Sequence, residues 1–164
     1  HAVQYQATNE ALVGRLIDGL GIDPSRFTFV DYGSGKGRVL LTAATRPFQR
    51  VVGVELFDEL HRVATSNIAI FRSHVRAAAV ESICADATSF EPPPGPLVCF
   101  FYNPFDAEIL RDVAGRLEAS LRAAPRPLYV IYVDPRHPEV FDGLPGLRRL
   151  DADPAWIVLA AGNS

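Results

Sequence analysis

Short apolar runs alternate with amphipathic stretches along most of this 164-residue chain. Residues 27–31 (FTFVD) read as a short buried strand that ends in a carboxylate. Residues 38–45 predict a helix that stops near Arg46 and Pro47, since proline lacks an N–H and crowds the preceding turn. A second strand is expected over 50–55. A helix over 58–71 follows, with Leu60, Val63, Ala64, Ile68 and Phe71 on its inward face. Residues 80–85 form a third expected strand. Residues 96–102 form a fourth, apolar enough to be covered on both faces. The helix pattern over 106–123 turns Ile109, Leu110, Val113, Leu117 and Leu121 inward. A fifth strand is expected over 128–133, a short helix after Pro138, and a closing strand pair over 147–150 and 155–161. A helix over 9–20 precedes them all.

Strand–helix alternation implies parallel strands joined by right-handed crossovers. The last two strands have no helix between them, so they should be antiparallel. The expected fold is therefore α/β: a doubly wound, mostly parallel sheet of about seven strands with an antiparallel C-terminal hairpin and helices on both faces. The length suits one domain over residues 1–164. The first residue is His1 and methionine is absent, so a further N-terminal segment is expected.

Composition narrows the picture. Hydrophobic residues make up 48% of the chain, enough to fill a core, and no stretch approaches the ~20 apolar residues of a membrane span. The first residues lack the basic and apolar regions of a signal peptide, so a cytoplasmic protein without membrane contact is expected. A net charge of −3 argues against a general phosphate-binding protein. Cys84 and Cys99 sit in apolar runs without metal-ligand spacing, so both are expected to be buried free thiols and no metal is expected.

The chemistry concentrates in the loop after the first strand, Asp31-Tyr-Gly-Ser-Gly-Lys-Gly37. Its three glycines permit a tight turn and close backbone approach to a ligand, at the carboxyl end of the sheet where doubly wound folds bind ligands. A phosphate loop needs Gly-Lys followed by Ser or Thr, but Gly35-Lys36 is followed by Gly37. A dinucleotide fingerprint from Gly33 and Gly35 meets Arg38 where its third glycine should be. The pattern D-x-G-x-G-x-G fits at every fixed position.

That pattern resembles motif I of the class I S-adenosylmethionine-dependent methyltransferases, and the likeness extends along most of the chain. Glu55 ends the second strand where that family places an acid. Asp86 follows the third strand in Cys84-Ala-Asp-Ala87, and Asn103-Pro-Phe105 follows the fourth at the family's motif IV. The resemblance implies a methyltransferase with S-adenosylmethionine as cofactor and its demethylated product as second ligand. It implies a cofactor site of Asp31, Gly33, Ser34, Gly35, Gly37, Glu55, Leu56, Asp86, Ala87 and Asn103. Tyr5 and Thr8 would fold over it. The cofactor is cationic and carries no phosphate. Asp31 suits its methionine end, Glu55 can accept both ribose hydroxyls, Leu56 can pack on adenine and Asp86 can accept from the adenine amino group. Lys36 has no assigned role.

On the acceptor side, Tyr102-Asn-Pro-Phe105 resembles the N-P-P-Y/F motif of methyltransferases that modify planar amino groups, with one proline instead of two. Seven-strand histone-lysine methyltransferases also place an Asn and a Phe after this strand. Asn103, Pro104 and Phe105 are therefore the expected catalytic residues. The acceptor is a nitrogen of a protein or a nucleic acid, left open between the two. A module that binds the cofactor or a partner without catalysis is the alternative. His61 and His137 read as surface and turn residues, and Trp156 as core.

Overall fold

The computed structural model describes residues 2–103 and 105–163, with side chains from Asn9 onward. Helix α1 spans Ala2–Asp18, β1 Thr28–Tyr32, α2 Arg38–Ala44, β2 Arg50–Glu55 and α3 Asp58–Phe71. Then follow β3 Val80–Cys84, β4 Leu97–Tyr102, α4 Ala107–Ala123, β5 Leu128–Val133, β6 Arg148–Asp153 and β7 Trp156–Ala161. The seven strands form one sheet in the order β3-β2-β1-β4-β5-β7-β6. Five are parallel, and β7 runs antiparallel to both β5 and β6. The doubly wound sheet and its closing hairpin are those expected from the sequence.

The alternation of side chains along each strand gives the sheet two cores. Val30, Val52, Cys99, Phe101, Val130 and Tyr132 face α4, where Leu110, Val113, Leu117 and Leu121 meet them. Phe29, Val51, Val98, Phe100 and Ile131 face the other way, against Val13 and Ile17 of α1 and Leu40 and Ala43 of α2. Tyr32 stacks on Phe101 at 4.8 Å between ring centroids, across the β1–β4 junction. Asp106 caps α4, its side chain accepting from Ile109 N at 2.9 Å.

Several expectations are corrected. Helix α1 begins earlier than expected, and its backbone runs through Tyr5 and Thr8, whose side chains lie outside the described residues. On α3 only Ala64 is fully buried and Val63 is exposed, because the helix covers the outer strands β3 and β2 and has protein on one side only. Cys84 is exposed for the same reason: β3 is an edge strand, whereas Cys99 on central β4 is buried. The expected 151–154 connection is shorter, since β6 continues to Asp153 across a bulge between Arg149 and Asp151. Trp156 is half-buried, with its indole N–H donated to Asp151 Oδ2 at 3.0 Å. His61 is half-buried, Nδ1 lying 2.8 Å from Ser82 Oγ. Among the described residues no helix is long and apolar enough to cross a membrane, and no His, Cys, Asp and Glu cluster could hold a metal ion.

Candidate active site

The order β3-β2-β1-β4 reverses direction between β1 and β4, and a cavity of about 680 Å³ opens at the carboxyl ends of these strands. Its size is within the usual range for small-molecule sites, ~300–1,000 Å³. The glycine loop forms its floor. Gly33, Gly35 and Gly37 all have positive φ, 74°, 54° and 92°, a backbone that L side chains adopt only with strain. A Cβ built at Gly35 would meet nothing within 4 Å, so open space lies directly above the loop.

Glu55 fixes that loop. It is 6% exposed, and its two oxygens are shared between two turns: Oε1 accepts from Gly35 N at 2.8 Å, Oε2 from Phe57 N at 2.9 Å. One carboxylate thus ties the end of β2 to the glycine loop and to its own following turn. Each oxygen keeps a second lone pair for a ligand hydroxyl. Beneath the loop, Gly33 N and Ser34 N both donate to Val54 O, at 2.8 and 3.1 Å.

Asp31 is 3% exposed and lines the same cavity. No ion pair to it occurs among the described residues. Burial first, and the Glu55 charge second, hold its carboxyl well above the ordinary carboxylate range. A buried carboxylate beside another carboxylate is an electrostatic deficit that a cationic ligand relieves. Ser34 lines the cavity, but its Oγ is itself buried, over Gly53, and has no hydrogen-bond partner among the described residues.

Of the expected cofactor residues, Asp31, Gly33, Ser34, Gly35, Glu55, Leu56, Asp86 and Ala87 line this one cavity. Gly37 stands just behind it as the N-cap of α2; a Cβ there would touch Ala64 at an ordinary 3.4 Å, so its left-handed backbone rather than space calls for glycine. Leu56 is 58% exposed and so presents a free apolar face. Asp86 is exposed, and Oδ1 accepts from Thr88 N at 2.9 Å and Thr88 Oγ1 at 2.8 Å, which lowers its pKa.

Asn103 departs from expectation. It is absent from the cavity lining, and its Nδ2 donates to Asp134 Oδ2 at 3.3 Å at the end of β5. Its neighbours Tyr102 and Phe105 line the cavity instead, because alternation along β4 and the turn after it carry those side chains inward. Pro104 lies outside the described residues.

The sequence reading missed several wall residues. Phe57, Val39, Leu60 and Ile109 extend the apolar lining, and Asn9 brings α1 to the cavity, its amide 3.5 Å from the Tyr102 hydroxyl. It also missed Gly53. A Cβ there would fall 2.6 Å from Ser34 Oγ and 2.8 Å from Ser34 Cβ, so the glycine loop can settle on β2 only over a glycine. The signal was available: a glycine inside an apolar strand marks a close backbone approach.

A doubly wound sheet in this order, a D-x-G-x-G-x-G loop over its switch point and an acid ending β2 define a class I S-adenosylmethionine-dependent methyltransferase. Residues 2–86, which carry the loop, Glu55 and Asp86, match the family described as histone methylation protein DOT1, and the chain belongs to that family. Comparison with curated proteins gives no sequence match. Among solved structures, the chain is similar to an RNA methyltransferase from Salinibacter ruber in complex with S-adenosyl-L-homocysteine. The identity is 20% over 93% of this chain and 90% of that one, with a TM-score of 0.60. It is also similar to magnesium protoporphyrin IX methyltransferase from Synechocystis PCC 6803 with bound S-adenosylmethionine. There the identity is 17% over 99% of this chain and 81% of that one, with a TM-score of 0.60. At these identities the likeness concerns the fold.

The residues present fit the cofactor of that class. S-adenosylmethionine has a sulfonium and an ammonium, and the cavity offers the buried carboxylates Asp31 and Glu55 and an open glycine cradle at Gly35.

Proposed function

We propose that this chain transfers a methyl group from S-adenosylmethionine to an amino nitrogen of a protein, a lysine side chain being the simplest such group. The observation that carries this reading is the continuity of the cavity. One wall holds Asp31, Glu55 and Asp86, and the same cavity ends at Tyr102 and Phe105 beyond β4, where an acceptor can meet the methyl group. The cofactor, when bound, supplies a methyl group on a sulfonium whose sulfur leaves as a neutral thioether.

In this reading the chain's own groups bind, orient and exclude water. Asp31 complements positive charge at the glycine loop. Glu55 receives the ribose hydroxyls on its remaining lone pairs while holding the loop. Leu56, with Phe57, covers the adenine and Asp86 receives its amino group. Tyr102 and Phe105 confine the acceptor carbon chain, and Asn103 orients the nitrogen. Alignment of the two reactants supplies much of the rate effect in such a transfer. Gly37 contributes by starting α2, and Ala87 by packing under the adenine edge.

A protein acceptor is favoured over a nucleic acid by two features. The family matched is described by histone methylation. The chain carries a net charge of −3, which repels a polyanion. In this proposal one domain works on a protein partner without membrane contact, in the cytoplasm. The test is incubation with methyl-labelled S-adenosylmethionine and, separately, core histones, poly-L-lysine and total RNA. Label in the two protein probes is the expected result. Label in RNA alone refutes a protein acceptor, and tight cofactor binding without transfer to any probe favours a binding module.

A further inference from the structure

Asn103 and Asp134 are the two non-glycine residues with positive φ among the described residues, at 33° and 53°. Each stands immediately before a proline, Pro104 and Pro135, where the extended region is the favoured backbone. They follow neighbouring strands in register, Tyr102 pairing with Val133, and their side chains meet: Asn103 Nδ2 donates to Asp134 Oδ2. Strain of this kind persists only where the surroundings enforce it, and it gathers at functional sites.

The surroundings do enforce it. Asp134 N donates to Ala155 O at 2.8 Å, which anchors it to the β6–β7 turn. Three residues on, His137 N donates to the Tyr132 hydroxyl at 3.3 Å and closes the loop from below. Arg136 Nη2 lies 3.5 Å from Asp134 Oδ2 on the solvent side. A glycine would hold this backbone without strain. An aspartate there keeps its carboxylate at a cost in stability.

An ionised carboxylate only accepts hydrogen bonds. It therefore fixes which way the Asn103 amide points: turned over, the amide would set its oxygen against a carboxylate oxygen. With one Nδ2 hydrogen committed to Asp134, the amide plane is set and Oδ1 is turned away from the carboxylate, free to accept. That atom suits a nitrogen that bears hydrogen.

We propose that Asp134 is a positioning residue of the acceptor site, holding the Asn103 amide so that Oδ1 receives an N–H of the substrate amine. This rests on the acceptor role given to Asn103 above. It assigns the carboxylate after β5 a part in orienting an acceptor nitrogen that bears hydrogen.

The experiment compares Asp134→Gly, Asp134→Asn and the unaltered protein. Glycine removes the carboxylate and relieves the backbone, so the melting temperature should stay equal or rise, and the affinity for S-adenosylmethionine should stay within twofold. The kcat for core histones should nonetheless fall 10- to 100-fold, with a smaller change in KM. Asp134→Asn keeps an acceptor oxygen and should recover at least a third of the rate. In a second measurement, n-butylamine is titrated into the protein saturated with S-adenosylhomocysteine. The side-chain amide resonances of Asn103 should move in the unaltered protein and require at least tenfold more amine in Asp134→Gly. Full kcat in Asp134→Gly overturns the proposal. So does a fall in rate that tracks a fall in melting temperature, the mark of a mere staple between strand ends. An unaltered protein that is inactive on histones refutes the protein-amine reading alone; equal butylamine responses in the two proteins then overturn the role of Asp134 independently.

Discussion

Replacing Glu55 by glutamine isolates the double duty of this side chain. The two residues have nearly the same volume, so the core around β2 is not disturbed. Glutamate offers two acceptor oxygens, one for Gly35 N and one for Phe57 N. Glutamine keeps one acceptor, and its amide nitrogen must face the other N–H. One charge-assisted bond is therefore lost, worth roughly 1.5–3 kcal/mol. For a domain of this size 1 kcal/mol moves the melting temperature by roughly 2–4 °C, so the free protein should melt roughly 3–12 °C lower. If the lost bond is the one to Gly35, or the one to a ribose hydroxyl, S-adenosylmethionine affinity falls by about 10- to 150-fold, since ~1.4 kcal/mol is a factor of ten. Thermal melting without ligand reads the loop, and calorimetry with S-adenosylmethionine reads the loop and ligand contacts together. Glu55→Ala, which removes both bonds, should be worse in both. A Glu55→Gln protein that melts and binds as the unaltered one does would show that neither the loop nor the ligand depends on this carboxylate.

Five further outcomes follow from the geometry. Because burial and Glu55 raise the Asp31 pKa, S-adenosylmethionine affinity should fall as pH drops through that raised value, and binding there should release protons, read by calorimetry in buffers of different ionisation enthalpy. The same shift makes the free protein lose stability as pH rises through the folded-state pKa, so Asp31→Asn should raise the melting temperature at neutral pH while weakening cofactor binding. Gly53→Ala should push Ser34 off β2 and reduce cofactor affinity at least tenfold, measured by calorimetry, without touching a ligand itself. Asn103→Ala should bind S-adenosylmethionine within a few-fold of the unaltered protein yet lose turnover on the order of 10²-fold on an acceptor that the unaltered protein methylates. Finally, a thiol reagent should titrate one cysteine in the native protein and two after unfolding: Cys84 is exposed, while burial pushes the Cys99 thiol up to about 12. No disulfide can join them, because β2 and β1 separate their strands.

The sequence by itself determined the class of fold and the location of the chemistry. Short continuous apolar runs and amphipathic runs with a period near 3.6 are local signals, and so is a glycine triplet after a strand that ends in Asp31. Glu55 and Asp86 were legible because they stand at strand ends, where side chains reach the ligand edge of a doubly wound sheet. The tertiary structure decided whatever depends on which strands are neighbours. Cys84 and Cys99 look alike in sequence, yet one lies on an edge strand and the other at the centre of the sheet. Helix α3 has an apolar face wider than the surface it covers, so Val63 is left in solvent. Gly53 and Ser34 are 19 positions apart, and only the packing of the loop on β2 makes the missing Cβ necessary. Arg126 donates to Gly95 O, Pro93 O, Ser120 O, Ser120 Oγ and Ala124 O, locking the proline-rich loop to the end of α4, with nothing local to announce it. Asn103 could be read as an acceptor-site residue from its motif, but the orientation of its amide is set by Asp134, 31 positions on, through the β4–β5 pairing. Periodicity along a chain records which face of an element is buried; it does not record the partner across the sheet, and it is the partner that fixes a buried charge or a hydrogen bond.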